Sequence, residues 1–278
     1  TAKRIDQLRK IVRAESENRA KNEEFYVVVA DMAKDGSANT AVVVMKVQPR
    51  EHAFMYYTVN MFKIMTSDYE LVSQRLKETV FNYNARLLVY DANGIGAAIR
   101  DWLNKEQMSN DKGSVLPALG IINPPEKSKR DVRRVSRDQT ICYEIKAVGD
   151  QANAIHRVLF SKMGANNIRF LIKSAVAVEK FNEKESFRSL EARQKKAILE
   201  PYFVMDVLEE EMKNLDVVDT VDNLGANTLR IVRRNKKVQK DFFSALEYGV
   251  GAIHEYFEVP YYSEKRRKKF NPEDYIMS

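Results

Sequence analysis

The sequence predicts an α/β domain. Its mixed sheet joins an antiparallel three-strand meander to parallel strands, and helices flank it. Three observations lead there. The run Phe25-Tyr-Val-Val-Val-Ala-Asp31 is apolar up to a closing carboxylate. A strand apolar on both faces belongs in the middle of a sheet that is covered on either side. The pattern returns as Leu87-Leu-Val-Tyr-Asp91, followed by Ala-Asn-Gly94-Ile-Gly96. Between the two lie a pair of β-rich runs with short connections, then a helical stretch long enough for a crossover. The second apolar strand can therefore lie parallel to the first.

In chain order, residues 1–22 are polar and charged, with Ile5, Leu8, Ile11 and Val12 at helical spacing. They read as a helical linker with too few apolar positions to bury much. Residues 24–31, 40–48 and 53–65 form the meander, with a turn at Asp35-Gly36-Ser37. Ser67-Asp-Tyr-Glu70 has the form of a capping box, with Ser67 at the N-cap. The helix it opens carries Tyr69, Val72, Leu76, Val80 and Tyr83 on one stripe. Residues 86–91 are the next strand, and Gly94-Ile-Gly96 opens a helix to about residue 107. A long loop spans 108–138. A strand at 140–147, a helix at 150–163 and a strand at 168–172 follow. Residues 174–200 are highly charged and read as partly disordered. Pro201 suits the first turn of a helix to about residue 214. A strand at 228–232 and a long helix at 236–257 complete the domain. The division is a linker at 1–22, one domain at 23–259, and a basic tail at 260–278 containing Lys265-Arg-Arg-Lys-Lys269.

Composition narrows the function. The 278 residues can build a sizeable core. No apolar run reaches the length of a membrane span, and the opening Thr1-Ala-Lys-Arg4 lacks signal-peptide character. Cys142 is the only cysteine, which excludes a disulfide framework or a multi-thiolate zinc site within the chain. His52, His156 and His254 are too scattered for a histidine-rich metal centre. Lys and Arg outnumber Asp and Glu by 46 to 39, which suits a polyanionic partner. The excess concentrates at Lys127, Lys129, Arg130, Arg133, Arg134 and Arg137, a run that either contacts phosphates or stands as a solvated loop.

The chemistry is expected from aspartates. A carboxylate at the end of a buried strand is costly unless it is paired or holds a cation. If the two apolar strands are parallel neighbours, Asp31 and Asp91 share the carboxyl edge of the sheet, where open α/β sheets place their sites. The last long helix adds Asp241. The positions one, two and three turns on are Ala245, Gly249 and Ala252, small enough for close approach to a sheet. Taken singly, each aspartate reads more simply as a strand-end or helix-surface residue. Taken together they read as catalytic metal ligands. Magnesium and manganese take hard oxygen ligands. Two such ions on shared carboxylates can activate a water and stabilise the leaving oxygen of a phosphodiester. No Walker-type phosphate loop occurs, and Gly94-Ile-Gly96 reads as the tight turn beside Asp91.

Three stretches carry a resemblance. They are Val-Ala-Asp31-Met-Ala-Lys-Asp-Gly, Val-Tyr-Asp91-Ala-Asn-Gly-Ile-Gly, and Lys240-Asp241-Phe-Phe-Ser-Ala-Leu-Glu-Tyr-Gly249, with Val204-Met-Asp-Val-Leu-Glu-Glu-Glu-Met-Lys-Asn-Leu before the last strand. The order of elements resembles the ribonuclease H-like arrangement. The motifs resemble, more narrowly, the nuclease domain of the large terminase subunit of tailed bacteriophages, over most of residues 24–257. The resemblance implies an endonuclease that uses two magnesium or manganese ions to cut concatemeric double-stranded viral DNA around packaging, in the host cytoplasm. It makes Asp31, Asp91 and Asp241 the metal ligands, with Asp35 an auxiliary candidate. It implies as partners the ATPase domain of the same subunit, the portal and the small terminase subunit. No ATPase motif is present, so residues 1–22 would be the former linker to that motor. Some relatives place a histidine three residues before the last aspartate; Val238 stands there. A junction resolvase, a transposase, or a non-catalytic DNA- or portal-docking module remain the alternatives.

Overall fold

The computed structural model describes residues 2–32, 39–92, 96–109, 113–124, 135–146, 149–221 and 227–269. The chain opens with α1 (Ala2–Leu8) and β1 (Arg9–Ile11). Contrary to expectation, these residues are built into the fold. Ile5 and Leu8, one helical turn apart, are fully buried in the main core. β1 joins the edge of the sheet, and Arg9 explains why it stays there. Its guanidinium donates to Leu171 O and Ile172 O at 2.9 Å each, and it pairs with Asp206 and Glu209. A polar-looking segment is thereby anchored by a few buried groups.

The meander is β2 (Phe25–Asp31), β3 (Asn39–Gln48) and β4 (Met55–Met65). A crossover helix, α2 (Tyr69–Tyr83), leads to β5 (Leu87–Asp91), which pairs parallel with β2. Asp68, rather than Ser67, caps α2. Its carboxylate accepts from Glu70 N and Leu71 N. Asn84 closes the helix in the left-handed conformation.

After α3 (Gly96–Leu103), the expected long loop holds a small ribbon, β6 (Gln107–Met108) with β7 (Val115–Leu116), and then β8 (Gly120–Ile121). β9 (Thr140–Ile145), α4 (Gly149–Gly164) and β10 (Ile168–Leu171) follow. The charged region is helical: α5 (Ser174–Asn182), α6 (Glu185–Arg188) and α7 (Ala192–Lys213). Pro201 lies inside α7 rather than at its start. The residues before it are strong helix formers, and Gln194 accepts from Glu191 N at 3.1 Å, so the helix begins earlier. β11 (Leu215–Val221) and β12 (Asn227–Arg233) form a hairpin off the main sheet. α8 (Asp241–Ile253) passes through a π-helical turn at His254–Glu258 into α9 (Val259–Lys269). The start of the expected tail is therefore helical, with Tyr261 edge-on and Tyr262 tilted against Phe54.

The main sheet has the order β1-β10-β4-β3-β2-β5-β9-β8. Alternation decides what each strand covers. Val27, Val29, Leu87 and Val89 join the core beneath α4, α7 and α8. Tyr26, Val28, Leu88 and Tyr90 face α2 and α3. With both faces covered, β2 is buried from Phe25 to Ala30.

Candidate active site

Asp31 and Asp91 end the two central parallel strands. Ala30 pairs with Tyr90, so the next residue along each strand is an aspartate at the same level. Both follow the odd-numbered face, toward α8, and neighbouring strands are about 4.8 Å apart. Asp91 is buried and Asp31 half-buried. Gly96 makes this corner possible. A Cβ there would stand 2.0 Å from the Asp91 carbonyl oxygen, so only glycine lets α3 begin against the end of β5.

A third strand contributes a cation. In β4, Thr58 opposes Met45 and Asn60 opposes Val44, so Val59 is one residue too many. Such a bulge reverses which face the following residues take. Tyr56 before it and Met61 after it therefore share the α8 side. The same shift puts Lys63 on that side, opposite Ala41, which in turn opposes Asp31. The ammonium group sits 5.6 Å from the centre of the Phe242 ring.

α8 lies across this edge. At Gly249 a Cβ would meet Val29 Cγ2 at 2.6 Å and Met45 Sδ at 2.9 Å. On the helix's other flank, at Gly251, it would meet Ile155 Cγ1 of α4 at 2.8 Å. The helix is thus wedged between sheet and α4. The phenol of Tyr248 is pushed up by burial, then by the charges of Asp31 and Asp91, which places it in their field. Asp241 shares that helical face, two turns back and so about 10 Å along the axis. Burial raises its pKa, against the pull of Lys63, Arg233 and Lys240. Beside it, Glu211 of α7 accepts from Phe243 N at 2.8 Å and so caps the first turn of α8. Burial pushes Glu211 up to about 8, and the charge of Asp241 adds to the shift.

The pair Asp31–Asp91 fits a hard divalent cation: two oxygen donors on one face at one level. Asp241 is grouped instead with Lys63 and Glu211. Among the described residues, no group of three or more His, Cys, Asp or Glu side chains gathers as a metal cluster. Asp35, Gly94, Lys127, Lys129, Arg130, Arg133 and Arg134 lie outside the described residues. Arg137 is described and is exposed on a 3₁₀ turn (Arg137–Gln139) leading into β9. Since β9 runs parallel to β5, Arg137 lies at the opposite edge of the sheet from Asp91. His254 faces that opposite edge too, bonded to Glu258 at 2.8 Å.

Sequence reasoning missed Lys63, Glu211 and Tyr248. Glu211 left a signal: it interrupts the apolar stripe Leu208, Met212, Leu215 with an acid on the buried side. Lys63 left none, because a bulge cannot be read from alternation that it reverses.

No protein-family model matches the chain, and no curated protein does. Solved structures of large terminase nucleases do resemble it. The large terminase nuclease of thermophilic phage G20c with bound magnesium is 12% identical, with a TM-score of 0.48 over 89% of this chain and 94% of that one. The nuclease domain of the large terminase subunit of bacterial virus Sf6 is 9% identical, with a TM-score of 0.44 over 84% and 89%. That of a Thermus phage is 10% identical, with a TM-score of 0.42 over 87% and 91%. At these identities and scores, function has to be read from this chain's own residues. No described helix is long and apolar enough to cross a membrane.

Proposed function

We propose that this chain is a divalent-metal-dependent endonuclease of the large-terminase type, cutting double-stranded viral DNA during genome packaging. The observation that carries the reading is the level pair Asp31–Asp91 at the carboxyl ends of adjacent parallel strands. Like charges so placed repel one another, and a cation relieves the repulsion. The three aspartate motifs and their order, as they stand in the sequence, support the narrower assignment.

Magnesium or manganese, when bound, supplies an acidified water and positive charge for the leaving oxygen of a phosphodiester. The chain's residues prepare that chemistry. Asp31 and Asp91 offer hard donors from rigid strands. Asp241, at the start of a wedged helix, is the third acid, approached from the far side of the same face. Lys63 offers a cation toward a phosphate entering between the sheet and α8. Tyr248 walls the pair from the helix side. The reading includes two ions, the ATPase domain of the same subunit, the portal and the small terminase subunit as partners, and action in the host cytoplasm.

The test is plasmid cleavage in magnesium, manganese and chelator. The wild type should cut in either metal and not in chelator. Asp31→Asn and Asp91→Asn should leave only background cutting while remaining folded. Equal cutting by folded Asp31→Asn would place any nuclease centre elsewhere. Binding without cutting under every condition would favour a docking module. A strong preference for branched over linear duplex would favour a junction enzyme.

A further inference from the structure

A basic surface lies beside Asp241. The hairpin strand β12 and the residues after it form one wall of a cleft, and the N-terminal half of α4 forms the other. The cleft encloses about 650 Å³. Arg230, Arg233, Lys236 and Lys240 line it, and no acidic side chain does among the described residues. Two fixed contacts hold the walls. Asn153 Oδ1 accepts from Leu229 N at 2.9 Å, tying the hairpin to α4. His156, on the lining, has its Nδ1 2.7 Å from Glu247 of α8, which ties the ring to the helix that carries Asp241.

The charge here is unbalanced. On the outer flank of the same hairpin Arg234 is paired with Asp216 at 2.5 Å, so this element can neutralise its arginines. Among the described residues the four lining cations have no ion-pair partner. Four cations clustered on one concave surface attract an anion from solution. The position adds direction: the charges of Arg233 and Lys240 act on Asp241. A duplex presented to the Asp31–Asp91 edge has more phosphates to either side, about one charge per 1.7 Å of helix axis.

We propose that the cleft between α4 and β12 binds the phosphate backbone of duplex DNA flanking the cutting point, through Arg230, Arg233, Lys236 and Lys240. This rests on the nuclease reading for its choice of ligand. Backbone contacts position a duplex without reading its sequence, so the cleft serves registration rather than recognition.

The experiment measures binding of a fluorescently labelled 30-base-pair duplex in chelator across a salt series, with two unrelated sequences. Arg230→Gln with Lys236→Gln removes two cations and leaves both Asp241 and its neighbour Lys240 in place. The expected result is affinity lower by on the order of tenfold for both sequences, with the log–log salt slope shallower by about two. Unchanged affinity and slope in the folded double variant would overturn the cleft. A second arm uses Arg230→Cys. Cys142 is fully buried, so the new thiol is the one open to a disulfide-activated duplex, and it should tether far faster than the wild type. No gain in tethering would count against the cleft. Plasmid cutting by Asp31→Asn separates the two ideas. Loss of cutting with intact cleft-variant binding sinks the cleft alone. Weakened cleft-variant binding with normal Asp31→Asn cutting sinks the proposed metal site alone.

Discussion

The two ends of the last long helical run hold buried carboxylates in opposite conditions. At the far end, Glu258 accepts from Phe54 N at 2.8 Å, Tyr56 OH at 2.7 Å, Lys162 Nζ at 2.6 Å and His254 Nδ1 at 2.8 Å. Burial pushes this carboxyl up, but the four donors outweigh it and hold it down at about 2. At the near end, Glu211 sits at about 8 and Asp241 is also raised, both chiefly by burial. One end satisfies its acid with four donors, while at the other burial outweighs the pull of Lys63, Arg233 and Lys240 on Asp241. A carboxylate that serves the fold is saturated with donors. A pair of acids side by side at the carboxyl ends of parallel strands is suited to a cation from solution.

Breaking the saturated end should cost the most stability. Lys162→Met leaves Glu258 a buried charge without its closest partner, at 2.6 Å, and should destabilise the fold by about 3–5 kcal/mol in chemical unfolding. DNA cutting by the folded fraction should not change. A pH scan sharpens the point. Below the unfolded value of 4.5 the unfolded chain holds a proton that folded Glu258 has released, so this group's contribution is full above 4.5 and is lost as pH falls toward about 2.

The near end should respond with the opposite sign. Between 4.5 and about 8, folded Glu211 keeps a proton that the unfolded chain has lost. Its contribution therefore falls as pH rises through that window. In chelator at pH 8.5, Glu211→Gln should raise stability by roughly 2–4 kcal/mol and flatten the pH profile. The amide oxygen can still accept from Phe243 N, so α8 keeps its cap. A destabilised Glu211→Gln protein would mean that the acid is satisfied after all.

The smallest effect is expected from the loop run. Neutralising Arg130, Arg133 and Arg134 together should lower duplex affinity severalfold, equally for all sequences, and flatten its salt dependence. Since Arg137, at the end of that run, faces the opposite edge from Asp91, the loss should be smaller per charge than in the α4–β12 cleft. An equal or larger loss per charge would reverse the ranking of the two surfaces.

These contrasts also show what a sequence discloses. The central strands were legible because burial on both faces leaves an unbroken apolar run, as in Val27-Val-Val-Ala30. The close approach of α8 was legible in Ala245, Gly249 and Ala252, since a helix can touch a sheet only where side chains are small. Elements held by a few polar groups were not legible. Residues 2–11 look like linker because three buried residues, Ile5, Leu8 and Arg9, do the anchoring amid a polar run. The helices of 174–200 look disordered because their exposed faces dominate the composition. The start of the last helix is hidden from sequence because its cap, Glu211, comes from a distant helix. Lys63 reached its face through a bulge that erases the pattern used to find it.

The most direct test of the central claim is thermal melting of the wild type, Asp31→Asn, Asp91→Asn and Glu258→Gln across a manganese titration from chelator upward. A cation held by the native edge stabilises by mass action, so the wild-type melting temperature should climb with the logarithm of metal concentration. The climb should vanish in Asp31→Asn and Asp91→Asn, which should melt at or above the wild type in chelator, and persist in Glu258→Gln from a lower baseline. An undiminished climb in folded Asp31→Asn and Asp91→Asn would contradict the account, because the cation would then be bound somewhere other than the paired strand ends.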